Sequence, residues 1–414
     1  MQPKVLIVAT SHWSSTARLA MALAGAGCTV EAVCPPSHPL RKTSIVRRIH
    51  VYRGVAPLTS VSDAIAAANP DILIPSDDLA VRHLHQLYRQ QREIGESRAR
   101  ICDLITRSIG ASASFPVVGE RTRFMTAARE EGVLVPETAV IVTDEDLRKL
   151  SARLGFPFVL KADGTSGGGG VRVVNDFAEA ERAFEILQAP PSVIRALKRV
   201  LFNQDTTVVW PSLLRRRRVV NAQAHVAGRE ATSMVACWRG EVLAALHFDV
   251  LHKDDSTGPA TVMRVIDHPD MSFAAEKMVR RLELSGLHGF DFMIEAADER
   301  AYLIEINPRP TQVGHLALGP GRDLAAALYA AFTGTPIRES PAVTNKDVIT
   351  LFPQEWLRNP SSAYIQSGHH DIPWDEPELV RECVRRRFRW RDWRKWQSQQ
   401  DWDKARSAAG LPRQ

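Results

Sequence analysis

GFDFMIEAADERAYLIEINPR, Gly289 to Arg309, is two alternating apolar runs on either side of a polar turn centred on Asp298. Folded as a hairpin about that turn, it pairs Ile294 with Tyr302, Phe292 with Ile304 and Phe290 with Ile306, which makes one face apolar. The opposite face then carries Asp291 directly across from Glu305, with Asn307 one step along. Like charges facing each other across a ladder destabilise a sheet. A divalent cation removes that penalty, and carboxylate and amide oxygens completed by substrate phosphates are what a hard cation such as Mg²⁺ takes. The alternative is a solvated carboxylate pair on an open face. Asn307-Pro308 ends the strand and delivers Arg309 to the same neighbourhood, where a guanidinium can hold the charge of a transferring phosphoryl group.

Upstream lies KADGTSGGGG, Lys161 to Gly170. FPFVLKAD and VRVVND flank it as short strand patterns, so the glycines join two strands and are not a domain linker. Gly167 to Gly170 can present bare N–H groups to an anion, and Lys161 adds a point charge for a phosphate. The spacing is not that of a P-loop. A plain hairpin tip is the competing reading.

The first hundred residues alternate strand and helix: KVLIVA, STARLAMALAGAG, CTVEAVC, SVSDAIAAANP, DILIPS, DDLAVRHLHQLYRQ. Such alternation predicts a parallel sheet with right-handed crossovers. The first turn, ATSHWSST, has no GxGxxG, which disfavours a dinucleotide cofactor. Its Ser11 and His12, and Asp78 after the DILIP strand, fall at the carboxyl ends of parallel strands, where ligands of open α/β sheets bind. Asp78 reads either as a ligand for a substrate ammonium or as the N-cap of the following helix. VVNAQAHVAGREATSMVACWRGEVLAAL reads as successive strands of one antiparallel sheet, and DEDLRKLSARLG as a capped helix with acid first and base last.

Composition sets limits on function. At 44% hydrophobic and 24% charged, the chain can bury a sizeable core. The formal net charge is +6, but from Val380 onward eleven Lys/Arg face four Asp/Glu, so the rest is near neutral and gives no sign of a specific nucleic-acid surface. Five scattered cysteines form no CxxC pair, which disfavours a zinc site or disulfide framework and suits a reducing compartment. The N-terminus reads as a buried strand with no signal-peptide pattern, and no run is long enough to span a membrane, so a cytoplasmic location is expected.

The hairpin ending in LIEINPR, with the glycine loop and NAQAHVAGREA, resembles the ATP-grasp superfamily of carboxylate–amine ligases over roughly Glu120 to Gly334. The resemblance implies an α/β and α+β ATP-grasp fold with these parts: an N-terminal Rossmann-like domain (1–118), a small lid region (119–225), a C-terminal antiparallel-sheet catalytic domain (226–340) and an extension (341–414). It implies ATP and Mg²⁺, two ions, with Mn²⁺ as a substitute. Arg121 stands where the family has a phosphate-binding lysine, Lys161 at its strand lysine, and Gly164, Gly167, Gly168, Gly169 and Gly170 in its lid loop. Gln223 and Glu230 fit the hinge pattern QExxxGxE, with Glu230 at the ribose, while Ala224 replaces the usual acid. The backbone of His225 and Val226 would face the base. Asp291, Glu305 and Asn307 match the metal ligands and Arg309 the NPR arginine.

The implied chemistry is ATP-dependent joining of a carboxylate to an amine, amino acids among the substrates considered, by a homodimer. A non-catalytic ATP sensor or scaffold is the alternative. A bicarbonate-using carboxylase-like enzyme is a weaker one, because Val313 or Gly314 stands where such enzymes carry a glutamate after the NxR motif. Arg264 is a candidate for holding the acyl phosphate or substrate carboxylate, and Gln312 and His315 are candidate substrate contacts. The tail LVRECVRRRFRWRDWRKWQSQQDW, with Trp390, Trp393 and Trp396 every third residue, reads as a helix packed on its own body or resting on an anionic membrane surface.

Overall fold

The computed structural model describes residues 2–94, 99–164, 170–189, 217–254, 258–338 and 341–388. The expected roles of Gly167, Gly168 and Gly169 and of the tryptophan stripe in the tail fall on residues outside that set.

The N-terminal part is a parallel sheet of β1 (Lys4–Val8), β2 (Thr29–Cys34), β3 (Arg48–Val51) and β4 (Ile72–Pro75), in the order β3-β2-β1-β4. The uninterrupted apolar run of β1 is explained by burial on both faces. Val5 and Ile7 enter one core while Leu6 and Val8 enter another beneath the helices Pro57–Ala68 and Asp78–Ile94.

The second sheet is small: β5 (Thr138–Ile141), β6 (Phe158–Ala162), β7 (Val171–Val174) and β8 (Val220–Ala224), in the order β5-β8-β6-β7. The helices Asp144–Leu154 and Phe177–Gln188 cover one face with Leu147, Leu150, Ala180 and Phe184. The acid-first pattern of the first of these ends in a capping box: Thr143 Oγ1 accepts from Asp146 N at 3.1 Å, and Asp146 Oδ2 accepts from Thr143 N at 2.9 Å.

The third sheet has seven strands: β9 (Gly228–Trp238), β10 (Glu241–Lys253), β11 (Ala260–Val265), β12 (Gly286–Glu295), β13 (Ala301–Asn307), β14 (Val348–Leu351) and β15 (His369–Asp371), in the order β13-β12-β9-β10-β11-β14-β15. Phe290, Phe292 and Ile294 are fully buried against the helix Pro269–Arg281, each contributing about 1.5–3 kcal/mol by area.

Three sequence expectations change. The run from Val220 to Leu246 does not stay in one sheet: β8 pairs with β5 and β6, and the chain crosses at 225–227 into β9 of the large sheet. Both runs alternate alike, so only tertiary pairing separates them. The helix Arg121–Glu130, assigned with the lid, packs Phe124, Met125, Ala127 and Ala128 on the large sheet. The border at 340 does not end the catalytic sheet, because β14 pairs with β11 and β15 with β14.

The crossing into β9 is tight. A Cβ on Gly228 would lie 1.9 Å from the carbonyl oxygen of Ile294, so no side chain fits there.

Candidate active site

β12 and β13 pair with Asp291 opposite Glu305, Phe290 opposite Ile306 and Gly289 opposite Asn307. Beyond Asp291 the register shifts, so Phe292 faces Leu303 and Ile294 faces Ala301, one residue off the expected pairing. The cause is a β-bulge at Ile304. Leu303 therefore enters the core and Ile304 turns to the opposite face, where it lines a cavity with Met293. The carboxylates keep their predicted juxtaposition.

That cavity, about 520 Å³, lies between the small sheet, the face of the large sheet and the loops after β1 and β4. Its lining includes Arg121, Lys161, Gln223, His225, Val226, Glu230, Asp291, Glu305, Asn307 and Arg309, so the structure brings together residues that the sequence spreads over nearly two hundred positions.

The polar partners form a continuous chain. Asp291 Oδ1 accepts from the Thr232 hydroxyl at 2.9 Å and Oδ2 from Asn307 Nδ2 at 2.8 Å. Arg309 Nη2 donates to Asn307 Oδ1 at 3.2 Å. Burial, then the nearby Glu305 charge, push the Asp291 carboxyl up to about 6. Burial acts the same way on Glu305, but Arg121 and Lys161 outweigh it and hold that carboxyl below its ordinary value. Two adjacent carboxylates with opposed shifts mark an electrostatic deficit that a cation would relieve.

Above them are the cations. Lys161 is 5% exposed on β6, and burial, then the Arg121 charge, lower its ammonium to about 8. Arg121 Nη2 donates to Glu305 Oε1 at 3.1 Å, while its Nε and Nη1 are buried without a hydrogen-bond partner. Asp163 Oδ1 is 3.7 Å from that Nε, beyond bonding distance. A buried guanidinium with idle donors is a ready anion site. Gly164, at φ +71°, turns the chain out of the pair β6–β7, and Ala162 N donates to Gly170 O at 2.9 Å where the loop closes.

At the hinge, Gln223 is buried and its amide donates to Thr138 Oγ1 at 3.0 Å, so its side chain braces the small sheet. Glu230 accepts from Lys253 Nζ at 2.6 Å. Sequence reasoning missed Lys253, because a lysine at a strand end carries no pattern of its own.

The remaining candidates divide. Ser11, Asp78 and Gln312 line the cavity; His12, His315 and Arg264 do not. Arg264 is exposed beside Asp347 at 3.8 Å, and its strand neighbour Met263 faces the cavity instead, as alternation along β11 requires. His12 Nε2 sits 2.8 Å from Ser37 Oγ. His315 Nε2 is 2.6 Å from Asp371 Oδ2, and Arg18 pairs with the same carboxylate. Asp371 of β15, nearly buried, thus joins Arg18 of the helix Ser14–Gly25 to His315 of the loop after β13. Gln312 Nε2 donates to Ala260 O at 3.3 Å and its Oε1 accepts from Gln354 at 2.7 Å, so it acts as a wall.

Adjacent aspartates differ as well. The helix cap is Asp77, whose Oδ1 accepts from Ala80 N at 3.0 Å and whose Oδ2 accepts from Thr10 N and Ser11 N at 2.7 and 3.0 Å. Asp78, relieved of capping, forks onto Arg309: Nε to Oδ1 at 3.0 Å and Nη2 to Oδ2 at 3.3 Å. None of the five cysteines is in a disulfide. Among the described residues no helix is long and apolar enough to cross a membrane.

Residues 120–319 match the family model of the carbamoyl-phosphate synthase L chain ATP-binding domain. The carbamoyl phosphate synthase large chain of Vibrio vulnificus is 25% identical over 251 residues, covering 58% of this chain and 21% of its own length. That of Xylella fastidiosa is 24% identical over 238 residues, covering 56% and 20%. This chain thus spans about a fifth of these relatives.

Among solved structures, N5-carboxyaminoimidazole synthetase of Staphylococcus aureus with ADP superposes at TM-score 0.57 and 14% identity, covering 81% of this chain and 78% of that one. The biotin carboxylase domain dimer of Hydrogenobacter thermophilus 2-oxoglutarate carboxylase, with MgADP and bicarbonate, superposes at 0.58 and 15%, covering 82% and 72%. The chain has the ATP-grasp fold, and residues 120–319 are the part that is similar to that ATP-binding domain model.

Proposed function

We propose that this protein is an ATP- and Mg²⁺-dependent, ADP-forming ligase that activates a carboxylate as an acyl phosphate and joins it to an amine. The observation that carries the reading is the single cavity in which Asp291, Glu305 and Asn307 face Lys161, Arg121 and Arg309. Two carboxylates and an amide suit a hard cation, or two, that shares its shell with phosphates. Bound Mg²⁺, or Mn²⁺ in its place, would withdraw charge from the transferring phosphoryl group.

The chain's own residues do the rest. Lys161 and the idle nitrogens of Arg121 receive phosphate oxygens, with Gly164 and Gly170 close by at the ends of β6 and β7. The backbone of His225 and Val226 lies beside the base, among Val159, Val173, Met293 and Ile304, and Glu230 with Lys253 meets the ribose. The substrate carboxylate oxygen attacks the γ-phosphorus, the bond to the β–γ bridging oxygen breaks, and ADP leaves. Arg309 then steadies the acyl phosphate. The amine nitrogen attacks the acyl carbon, phosphate departs, and one amine proton is released. The H. thermophilus neighbour is described as a dimer, and we place this chain as a homodimer too, a cytoplasmic one.

The test is ADP release from Mg·ATP across carboxylates and amines, singly and in pairs. ADP formation that requires one particular pair supports the ligase. ATP binding by calorimetry with no turnover on any pair points instead to an ATP sensor.

A further inference from the structure

Beyond the nucleotide residues, the cavity continues under the N-terminal sheet. Here its walls are Trp13, Leu79, Val250, Met263 and Val313. The charged residues lining this end are two aspartates, Asp77 and Asp78, and two arginines, Arg82 and Arg309. Asp77 is spent on Thr10, Ser11 and Ala80, and Arg309 is already met by Asp78. This end therefore pairs an apolar wall with the polar Ser11, Ser15, Ser76 and Gln312 and has no excess of positive charge, which is poor ground for a phosphorylated substrate.

At its neck sits the Asp78–Arg309 pair. Arg309 touches Asn307 of the carboxylate ladder on one side and Asp78 on the other. With Nε and Nη2 committed to Asp78 and Asn307 and Nη1 donating to Pro310 O at 3.4 Å, Arg309 keeps one N–H for a carboxylate, which would then lie beside the proposed γ-phosphate position. A cationic group one or two bonds away from that carboxylate would fall on Asp78, whose oxygens retain lone pairs after the fork. One anion and one cation, a bond or two apart, with an apolar body behind, describe one class of molecule.

We propose that the acid activated at this site is an α-amino acid with an apolar side chain, its carboxylate at Arg309, its ammonium on Asp78 and its side chain among Trp13, Leu79, Val250 and Met263. This rests on the ligase reading above. Asp78 is then the residue that sets specificity, since a site built to bond a polar group rejects analogues without it.

The test uses the full-length protein with Mg·ATP and hydroxylamine, which traps an acyl phosphate as a hydroxamate whatever the natural amine. Leucine, methionine and phenylalanine are expected to give hydroxamate and ADP. 4-Methylpentanoate, which is leucine without its ammonium, should be worse in kcat/KM by roughly 100-fold or more. Asp78→Asn should shrink that ratio to below about tenfold, a change that loss of structure alone would not produce. Trp13→Ala, at an exposed position (41%), should raise KM for leucine more than for alanine. Equal use of leucine and 4-methylpentanoate, or turnover confined to acidic or phosphorylated acids, overturns the proposal and leaves the ligase standing. Intact ATP binding without ADP from any acid overturns both.

Discussion

Arg121 Nη2 lies 3.1 Å from Glu305 Oε1 across 184 residues of chain, and two other nitrogens of the same guanidinium are buried with nothing to bond. The contact ties the helix Arg121–Glu130 to the last strand of the carboxylate ladder. It also leaves two buried nitrogens with no hydrogen-bond partner, and the phosphate role proposed for Arg121 rests on them. Arg121→Ala should weaken ATP binding by about 1.5–3 kcal/mol, the range of a hydrogen bond to a charged group. Arg121→Lys should restore part of it. Calorimetric titration of both variants reads the outcome; unchanged affinity in Arg121→Ala would remove the arginine from the phosphate site.

Glu305→Gln keeps the shape of the ladder and deletes one of its two charges. ADP release should fall by roughly 100-fold or more, in keeping with the loss of an electrostatic group acting in the transition state. Raising Mg²⁺ should recover little. Steady-state rates across a Mg²⁺ series check this, and wild-type turnover in the variant would end the metal assignment.

Much of this site was legible in the sequence, though unevenly. Asp291 opposite Glu305 could be read because charges interrupt an apolar alternation, and a two-residue period leaves little freedom near them. The bulge one step away could not: Leu303 and Ile304 are both apolar, and either suits the core. Asp77 and Asp78 are likewise indistinguishable as letters. Only the fold shows that one caps the helix and the other meets Arg309. Arg264 and Met263 were a choice of strand face, and the sequence pattern of β11, TVMRV, does not decide it.

His247 and His288 are buried, and burial lowers both imidazoles to about 4. An unfolded chain binds their protons near pH 6.5. Between about pH 6.5 and 4 the unfolded state therefore takes up more protons, and stability falls as pH falls, by at most about 1.4 kcal/mol per pH unit for each histidine. Urea melts across that window should show the loss, and His288→Gln should flatten the slope. An equally steep slope in the variant would exclude His288 as a cause.

Asp371 behaves in the opposite sense. Burial would raise its carboxyl, but His315 and Arg18 outweigh it and hold it well below the usual range. Its contribution is present above the unfolded value near 3.9 and disappears as pH falls below it. Asp371→Asn should cost about 3–5 kcal/mol at pH 7, the expected cost of breaking a buried pair. The gap between variant and wild type should narrow below pH 4. Thermal melts at pH 7 and pH 3 measure both.

Gly228→Ala should fail to fold or lose several kcal/mol, because the added carbon meets the Ile294 carbonyl at 1.9 Å. Soluble expression with a normal melting temperature would mean that the contact between β9 and β12 is slack.

The strands β14 and β15 change what counts as a separable piece of this chain. The ATP-binding match ends at 319, yet β11 is sheltered by β14, and β15 supplies the Asp371 that Arg18 and His315 require. The helix Pro377–Phe388 packs beside Pro39–Lys42, and Glu376 holds Ser44 N at 3.0 Å. A truncation at 319 or 340 would bare a strand edge and leave the half-buried Arg18 without its carboxylate. A unit that retains both ends of the cavity must carry β1 through β15 and the helix Pro377–Phe388, so any graft, fusion or library built on this scaffold must keep the head and the late strands together.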